Sequence, residues 1–204
     1  MKMRGDNMNR CVWCCDGGIM QKYHDEEWGI PLHDDKRHFE YLMMEVMQCG
    51  LNWMMMLKKR EIFRECFDDF DFHKIAFYGE EKIEQILQKE GMIRSRRKIE
   101  AVINNAKCFL EIIEAFGSFD TWLWAYTENK SLVYRQHQLG EAVAKNELSD
   151  QISRDLKKRG FKYLGSITVY SHLQACGMIN DHDPECFMYQ ELISKGDVKY
   201  EGPQ

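Results

Sequence analysis

The chain has 204 residues, 44% of them hydrophobic and 30% charged, and a formal net charge of -5. This length and balance describe one domain, or two small lobes sharing a core, and exclude a disordered or membranous chain. The net charge argues weakly against a nucleic-acid partner, although local charge runs the other way.

In chain order, the polar start from Met1 to Arg10 lacks the apolar stretch of a secretory signal and reads as a flexible extension. No apolar run approaches the length of a bilayer span. Eight cysteines scattered among helix-like segments fit a reducing compartment better than a disulfide framework, so a cytoplasmic protein is expected. Helices are predicted over about 35–49, 53–66, 80–89, 95–115, 119–127, 149–159 and 164–177. The pattern is plainest where Ile99, Val102, Ile103, Ala106, Phe109, Leu110 and Ile113 recur at three-four spacing. Phe39, Leu42, Met43, Val46 and Met47 do the same, as do Ile83, Ile86 and Leu87. Gly91, Gly117, Gly160 and Gly177 are natural helix stops. The stretch from Thr127 to Ser149 has the weakest pattern and reads as an irregular connection. No repeat or low-complexity tract interrupts the chain, and the expected class is all-α.

Two ligand-rich clusters stand at opposite ends: Cys11 with His24, and His182 with Cys186. Two thiolates and two imidazoles complete the tetrahedral shell that zinc prefers, and such a shell would fasten the chain ends together. Cys14 and Cys15 lie close by, and Cys11-x-x-Cys14 is itself a zinc spacing. A shell of Cys11, Cys14, His182 and Cys186 is therefore chemically equivalent from spacing alone. Ordinary buried thiols and surface histidines are the bland reading.

Three further constellations point to chemistry. Glu45 sits at the edge of an apolar helix stripe running through Phe39, Leu42, Val46 and Cys49. A carboxylate partly desolvated there has its pKa raised, whereas a flank glutamate that reaches solvent does not. Trp13, Tyr23, Trp28 and Trp53 offer flat faces for stacking, with core packing the ordinary alternative and the expected one for Trp28. Gly50-Leu51-Asn52-Trp53 is a glycine-broken turn with an apolar tip that can wedge between base steps. Lys89 to Lys98 places Gly91 at a turn between two helices, followed at once by Arg94, Arg96, Arg97 and Lys98. Backbone N–H groups and arginines in that order suit a phosphate, although a charge run is usually a solvated face. Arg154, Lys157, Lys158, Arg159 and Lys162 flank Gly160 in the same way, and Lys58-Lys59-Arg60 extends the basic surface.

Together these residues resemble the 3-methyladenine DNA glycosylase I family, a branch of the helix-hairpin-helix glycosylases, from about Cys11 to Cys186. The matching stretches are Tyr23 to Pro31, Gly50 to Trp53 leading into Leu57 to Arg60, Gly91 to Arg94 with Lys98-Ile99, Leu156 to Phe161 and Ala175 to His182. Thr127 to Ser149 matches poorly. The resemblance implies a structural Zn²⁺ held by Cys11, His24, His182 and Cys186, with Cys14 and Cys15 as bystanders. It implies that Glu45 reads the damaged base, that Tyr23, Trp13 and Trp53 contact or stack on it, and that Leu51 fills the gap in the duplex. The hairpin, with Gly91, Arg94, Arg96 and Lys98, is implied to bind DNA phosphates.

The expected organisation is an extension at 1–10, one zinc-stapled glycosylase domain at 11–190 with the helix-hairpin-helix at about 80–115, and a tail at 191–204. The expected activity is hydrolytic release of alkylated purine, above all 3-methyladenine, from double-stranded DNA. No membrane partner is expected, a monomer suffices, and with no lysine nucleophile in view no strand cleavage is expected. Three departures stand out: Val46 replaces a glycine beside the carboxylate, Met54-Met55-Met56 replaces a smaller and more polar run, and Met20 stands where a second tyrosine is common. A glycosylase of altered lesion preference, a zinc-stapled binder of distorted duplex that cuts no bond, and a protein-interaction domain are the alternatives.

Overall fold

The computed structural model of the protein describes residues 8–15, 17–48, 50–134 and 143–202. Helix α1 spans Gly18–Glu26, α2 Asp35–Gln48, α3 Trp53–Cys66 and α4 Phe72–Ile75. Helices α5 Glu80–Gln88, α6 Arg96–Phe116 and α7 Phe119–Trp124 follow. The last three are α8 Glu147–Lys158, α9 Ser166–Ala175 and α10 Phe187–Lys195. The expected helices agree with α2, α3 and α5 to α9 within a few residues. The helices at α1, α4 and α10 had no sequence expectation, because α4 is a single turn and α1 and α10 lack a clean apolar stripe.

Helix α2 lies at the centre of the fold. Every residue from His38 to Met47 is buried, because α3, α6, α7 and α9 all pack against it. A helix buried all round loses the polar face that a surface helix keeps. Asp34 caps its start by accepting from the Arg37 N–H at 2.8 Å. The next residue, Asp35, accepts from the backbone N–H groups of Phe119 and Asp120, so one acidic pair fastens two helix starts. Gly50, with φ 85°, breaks the chain after α2. Asn52 then caps α3, its side chain accepting from Met55 N–H at 2.9 Å.

The fold is mostly helical, with one correction to the all-α expectation. Strand β1, Ser131–Tyr134, pairs in parallel with β2, Val198–Glu201, and Leu132 also bridges to Ile179. The stretch 191–204, expected as a tail, supplies the end of α10 and all of β2. A four-residue strand carries too little alternation to be read locally; its partner lies far away in sequence. This ribbon holds the segment leading to His182 in place, since Asn180 N–H donates to the Leu132 carbonyl at 2.9 Å. At the other end of the chain, Asn9 accepts from Phe187 N–H, so the extension is tied down at least there.

Two glycines let the ends approach each other. A Cβ on Gly177, where φ is 73°, would stand 2.4 Å from the Pro31 nitrogen. A Cβ on Gly29, where φ is 79°, would stand 2.6 Å from His182 Nε2. Only glycine fits such contacts. Among the described residues no helix is long and apolar enough to cross a membrane.

Candidate active site and metal clasp

Cys11, His24, His182 and Cys186 converge. Their ligand atoms all lie within 4.8 Å of one another, and all four residues are buried. His24 Nε2 is 3.4 Å from Cys186 Sγ, and His182 Nδ1 is 3.5 Å from Cys11 Sγ and 3.7 Å from Cys186 Sγ. The far nitrogen of each imidazole is occupied. His24 Nδ1 meets Asp25 at 2.8 Å, and Asp25 is gripped in turn by Arg10. His182 Nε2 donates to the Trp28 carbonyl at 3.2 Å. Such outer partners fix the tautomer so that the inner nitrogen presents a lone pair. The Cys186 thiol is held low by its hydrogen bond with Cys11, against burial and with help from both histidines. Cys11 is pushed up by the same bond and by burial. A buried negative sulfur ringed by lone pairs attracts a cation. Of the two shells that spacing allowed, the one with His24 assembles; Cys14 instead turns its thiol to the Cys11 carbonyl at 3.1 Å, and Cys15 is exposed.

Beside the clasp lies a cavity of about 510 Å³. Trp13, Met20, Tyr23, Trp28, Glu45, Gln48 and Trp53 line one part, and Gln174, Asn180 and Asp181 are among the residues of the rest. Helix α1 places Tyr23 on the cavity and His24 on the clasp, because successive helical residues point about 100° apart. Trp13 packs edge-on against Trp28 at 5.0 Å and against His24 at 5.3 Å, and Tyr23 lies 5.6 Å from Trp53. Trp28, expected as core packing, is half-buried and faces both cavity and clasp.

Glu45 points into this cavity and is only 6% exposed. Burial pushes its carboxyl up to about 8. Burial likewise raises the phenol of Tyr23, keeping the hydroxyl protonated. Two donors in the wall, Trp53 Nε1 and Asn180 Nδ2, are buried without a hydrogen-bond partner. Asn180 Oδ1 accepts from His182 N–H at 3.3 Å, which fixes the amide orientation. Sequence reasoning missed Gln48, Asn180 and the cavity role of Trp28. The position of Asn180 beside His182 was the one available signal.

Val46 is fully buried in the core and does not line the cavity; Met20 does. Met56 is buried, Met54 is half-buried and Met55 is exposed, and none lines the cavity. Cys49 lies outside the described residues. Leu51 is half-buried against the core at the α2–α3 turn.

At the α5–α6 hairpin, Gly91 is exposed with φ 78°, and Arg94 and Arg97 are exposed beside it. Arg96 is engaged by Glu80, Glu84 and Glu100, and Lys98 donates to the Met47 carbonyl at 2.7 Å. Those two cations brace the hairpin against α5 and α2. The Ser95 side chain makes no cap bond, so the first turn of α6 keeps its N–H groups uncapped by that side chain.

A methyladenine glycosylase family profile matches residues 13–189. DNA-3-methyladenine glycosylase 1 of Escherichia coli (strain K12) is 41% identical over 182 residues, covering 89% of this chain and 97% of that protein. A crystal structure of 3-methyladenine DNA glycosylase I superposes with a TM-score of 0.83 at 40% identity, covering 88% of this chain and 98% of the other. The glycosylase from Staphylococcus aureus, studied for its recognition of 3-methyladenine, gives a TM-score of 0.83 at 35% identity, covering 88% and 96%.

Proposed function

From the premise that this chain belongs to the methyladenine glycosylase family, we infer that it is a DNA-3-methyladenine glycosylase that hydrolyses the N-glycosidic bond of the damaged nucleotide. The observation that carries the mechanism is the buried carboxyl of Glu45 in a cavity walled by aromatic rings.

Methylation at N3 gives the base a positive charge in the nucleotide and makes it a good leaving group. Flipping it out of the stack costs a few kcal/mol, least for a damaged pair. Stacking on Trp13, Tyr23 and Trp53 offsets this by about 1–3 kcal/mol per base. Burial makes Glu45 costly to ionise, and a cationic base in the same cavity removes that cost by pairing with it. Normal adenine brings no charge and leaves Glu45 protonated, so selectivity follows from electrostatics. Glu45 accepts from the exocyclic amine, while Trp53 Nε1 and Asn180 Nδ2 offer donors to ring acceptors. As C1′–N9 breaks, its electron pair neutralises the departing base and the sugar becomes oxocarbenium-like. The carboxylate field stabilises that cation. Water adds at C1′ and releases a proton, leaving an abasic site. With no lysine nucleophile in the mechanism, the strand stays intact.

The clasp suits zinc. An ion about 2.3 Å from sulfur and about 2.0–2.1 Å from nitrogen sets sulfur–nitrogen edges near 3.5 Å. Three of the four such edges here are 3.4, 3.5 and 3.7 Å. Cys11, His24, His182 and Cys186 would hold it with no position left for water, so its contribution is structural. For DNA, the α5–α6 hairpin serves as a helix-hairpin-helix, with the uncapped start of α6, Gly91, Arg94 and Arg97 meeting phosphates. Leu51, between Gln48 and Trp53 in the chain, is the apolar side chain offered to the vacated stack.

The test is incubation with methylated duplex followed by chromatography of the released bases. Free 3-methyladenine is expected, with abasic sites accumulating in uncut strands. Retention of damaged duplex with no base release would replace the enzyme by a binder.

A further inference from the structure

Away from the cavity and the zinc clasp, the densest group of buried titratable side chains lies where α2 crosses α9. His38, His172 and Cys176 are at most 1% exposed, and their ligand atoms lie within 4.8 Å of one another. None lines the cavity, and the glycosylase reaction uses none of them. Two imidazoles and a thiol cost more to bury than apolar side chains of the same size unless their polar atoms are satisfied.

Hydrogen bonding satisfies them only in part. His38 Nε2 lies 3.2 Å from an Asp120 carboxylate oxygen. The carboxylate accepts, so Nε2 carries the hydrogen and Nδ1 presents a bare lone pair inward. His172 Nε2–H donates to that lone pair at 3.3 Å. The other nitrogen of His172, Nδ1, is buried with no partner. The Cys176 thiol reaches the Leu173 carbonyl at 3.6 Å, and the Met178 backbone N–H approaches its sulfur. Asp120 is anchored independently, by Asp35 through its backbone and by His33 at 3.1 Å.

A carboxylate behind an imidazole is the outer partner that orients metal-bound histidine. Two nitrogens bound at about 2.0–2.1 Å in a three-donor plane stand roughly 3.5–3.6 Å apart, and these lie at 3.3 Å, so a shift of a few tenths of an ångström admits an ion. His172 and Cys176 are one helical turn apart, the spacing that His182 and Cys186 use in the clasp. We propose that His38, His172 and Cys176 form a second metal site, a dry three-donor pocket for a thiophilic monovalent cation, Cu⁺. Thiolate and imidazole select soft ions. Structural zinc takes four donors, and among the described residues this group supplies three, with Asp120 committed to the histidines. On binding, the His172 hydrogen moves from Nε2 to the unpartnered Nδ1, the Cys176 thiol releases its proton to solvent, and sulfur and both inner nitrogens donate to the ion. One thiolate and one monovalent cation cancel, so the core gains no net charge. The ion would tie the end of α9 to α2, the helix that carries Glu45.

The experiment uses zinc-loaded full-length protein under anaerobic, reducing conditions, titrated with Cu⁺ in competition with a chromophoric copper chelator. Copper and zinc per chain are measured after desalting. One copper per chain with zinc retained is expected, with an X-ray absorption spectrum of two nitrogens and one sulfur. His38→Leu and His172→Phe fill the same space with apolar atoms and should abolish retention while zinc stays. Asp120→Asn should weaken retention by about 10–100-fold. Cys176→Ala serves if a histidine variant does not fold, and should lose copper likewise. No uptake by the zinc-loaded chain, equal uptake by the variants, or displacement of zinc by copper would each overturn the site without touching the glycosylase reading, which base release tests separately.

Discussion

Trp28 meets His182 twice: its carbonyl accepts from Nε2 at 3.2 Å, and its ring packs edge-on with centroids 4.5 Å apart. The same tryptophan lines the cavity that holds Glu45. The wall of the cavity and the outer partner of the clasp are thus one residue, and a disturbance at either reaches the other.

Loss of the metal should therefore lower both stability and substrate affinity. Cys186→Ser, or treatment with a strong chelator, is expected to reduce the melting temperature and to raise KM more than it lowers kcat. Calorimetry with elemental analysis checks this. An unchanged melting curve in protein free of metal would falsify the clasp.

Gly29→Ala tests the same junction from the backbone side. The added Cβ would stand 2.6 Å from His182 Nε2 at a φ of 79°, so both space and conformation oppose it. A loss of about 1–3 kcal/mol is expected from strain of this kind. Weakened metal retention should accompany it. Denaturant melts set against Gly50→Ala, where a Cβ meets nothing within 4 Å but φ is 85°, separate the clash from the backbone cost.

Glu45 should govern the pH dependence of activity. With its carboxyl near 8 in the free protein, kcat/KM for methylated DNA is expected to rise with pH and level off above about 8. In Glu45→Gln the rise disappears and kcat/KM falls by at least about 100-fold, in keeping with loss of an electrostatic stabiliser. Affinity for undamaged duplex should be unchanged. A wild-type profile flat from pH 5 to 9 would contradict this role.

The same carboxyl has a consequence for stability. Between its ordinary value of 4.5 and about 8, the folded protein binds more protons than the unfolded chain. Stability therefore falls as pH climbs through that window. Glu45→Gln carries no such penalty, so its melting temperature should gain on the wild type's as pH rises toward 8, with the difference levelling off above it. Parallel melting temperatures across that range would show that Glu45 ionises freely.

At the hairpin, Arg94→Ala and Arg97→Ala should each reduce the salt dependence of DNA binding by about one counterion. Arg96→Ala should leave that slope as it is, because Glu80, Glu84 and Glu100 already engage the guanidinium. Binding isotherms from low to moderate salt distinguish the three. Equal slopes in all three variants would place the phosphate contacts elsewhere.

Helical periodicity and glycine stops made α2, α3 and α5 to α9 legible along the chain, because three-four spacing and left-handed turns are local properties of neighbouring residues. The ligand-rich ends were legible as chemistry, since thiolates and imidazoles are rare enough to count. Their pairing was not. Whether His24 or Cys14 completes the clasp depends on which way each side chain turns once Gly29 and Gly177 let the chain ends close. The depth of Glu45 was equally undecided by its helix. A stripe edge can face water or a cavity, and α3, α6, α7 and α9 closing around α2 bury it. Short parallel strands, the double duty of Trp28, and the ion pairs of Arg96 with Glu80 and Glu84 on another helix all arise between separate elements, where no local pattern records them.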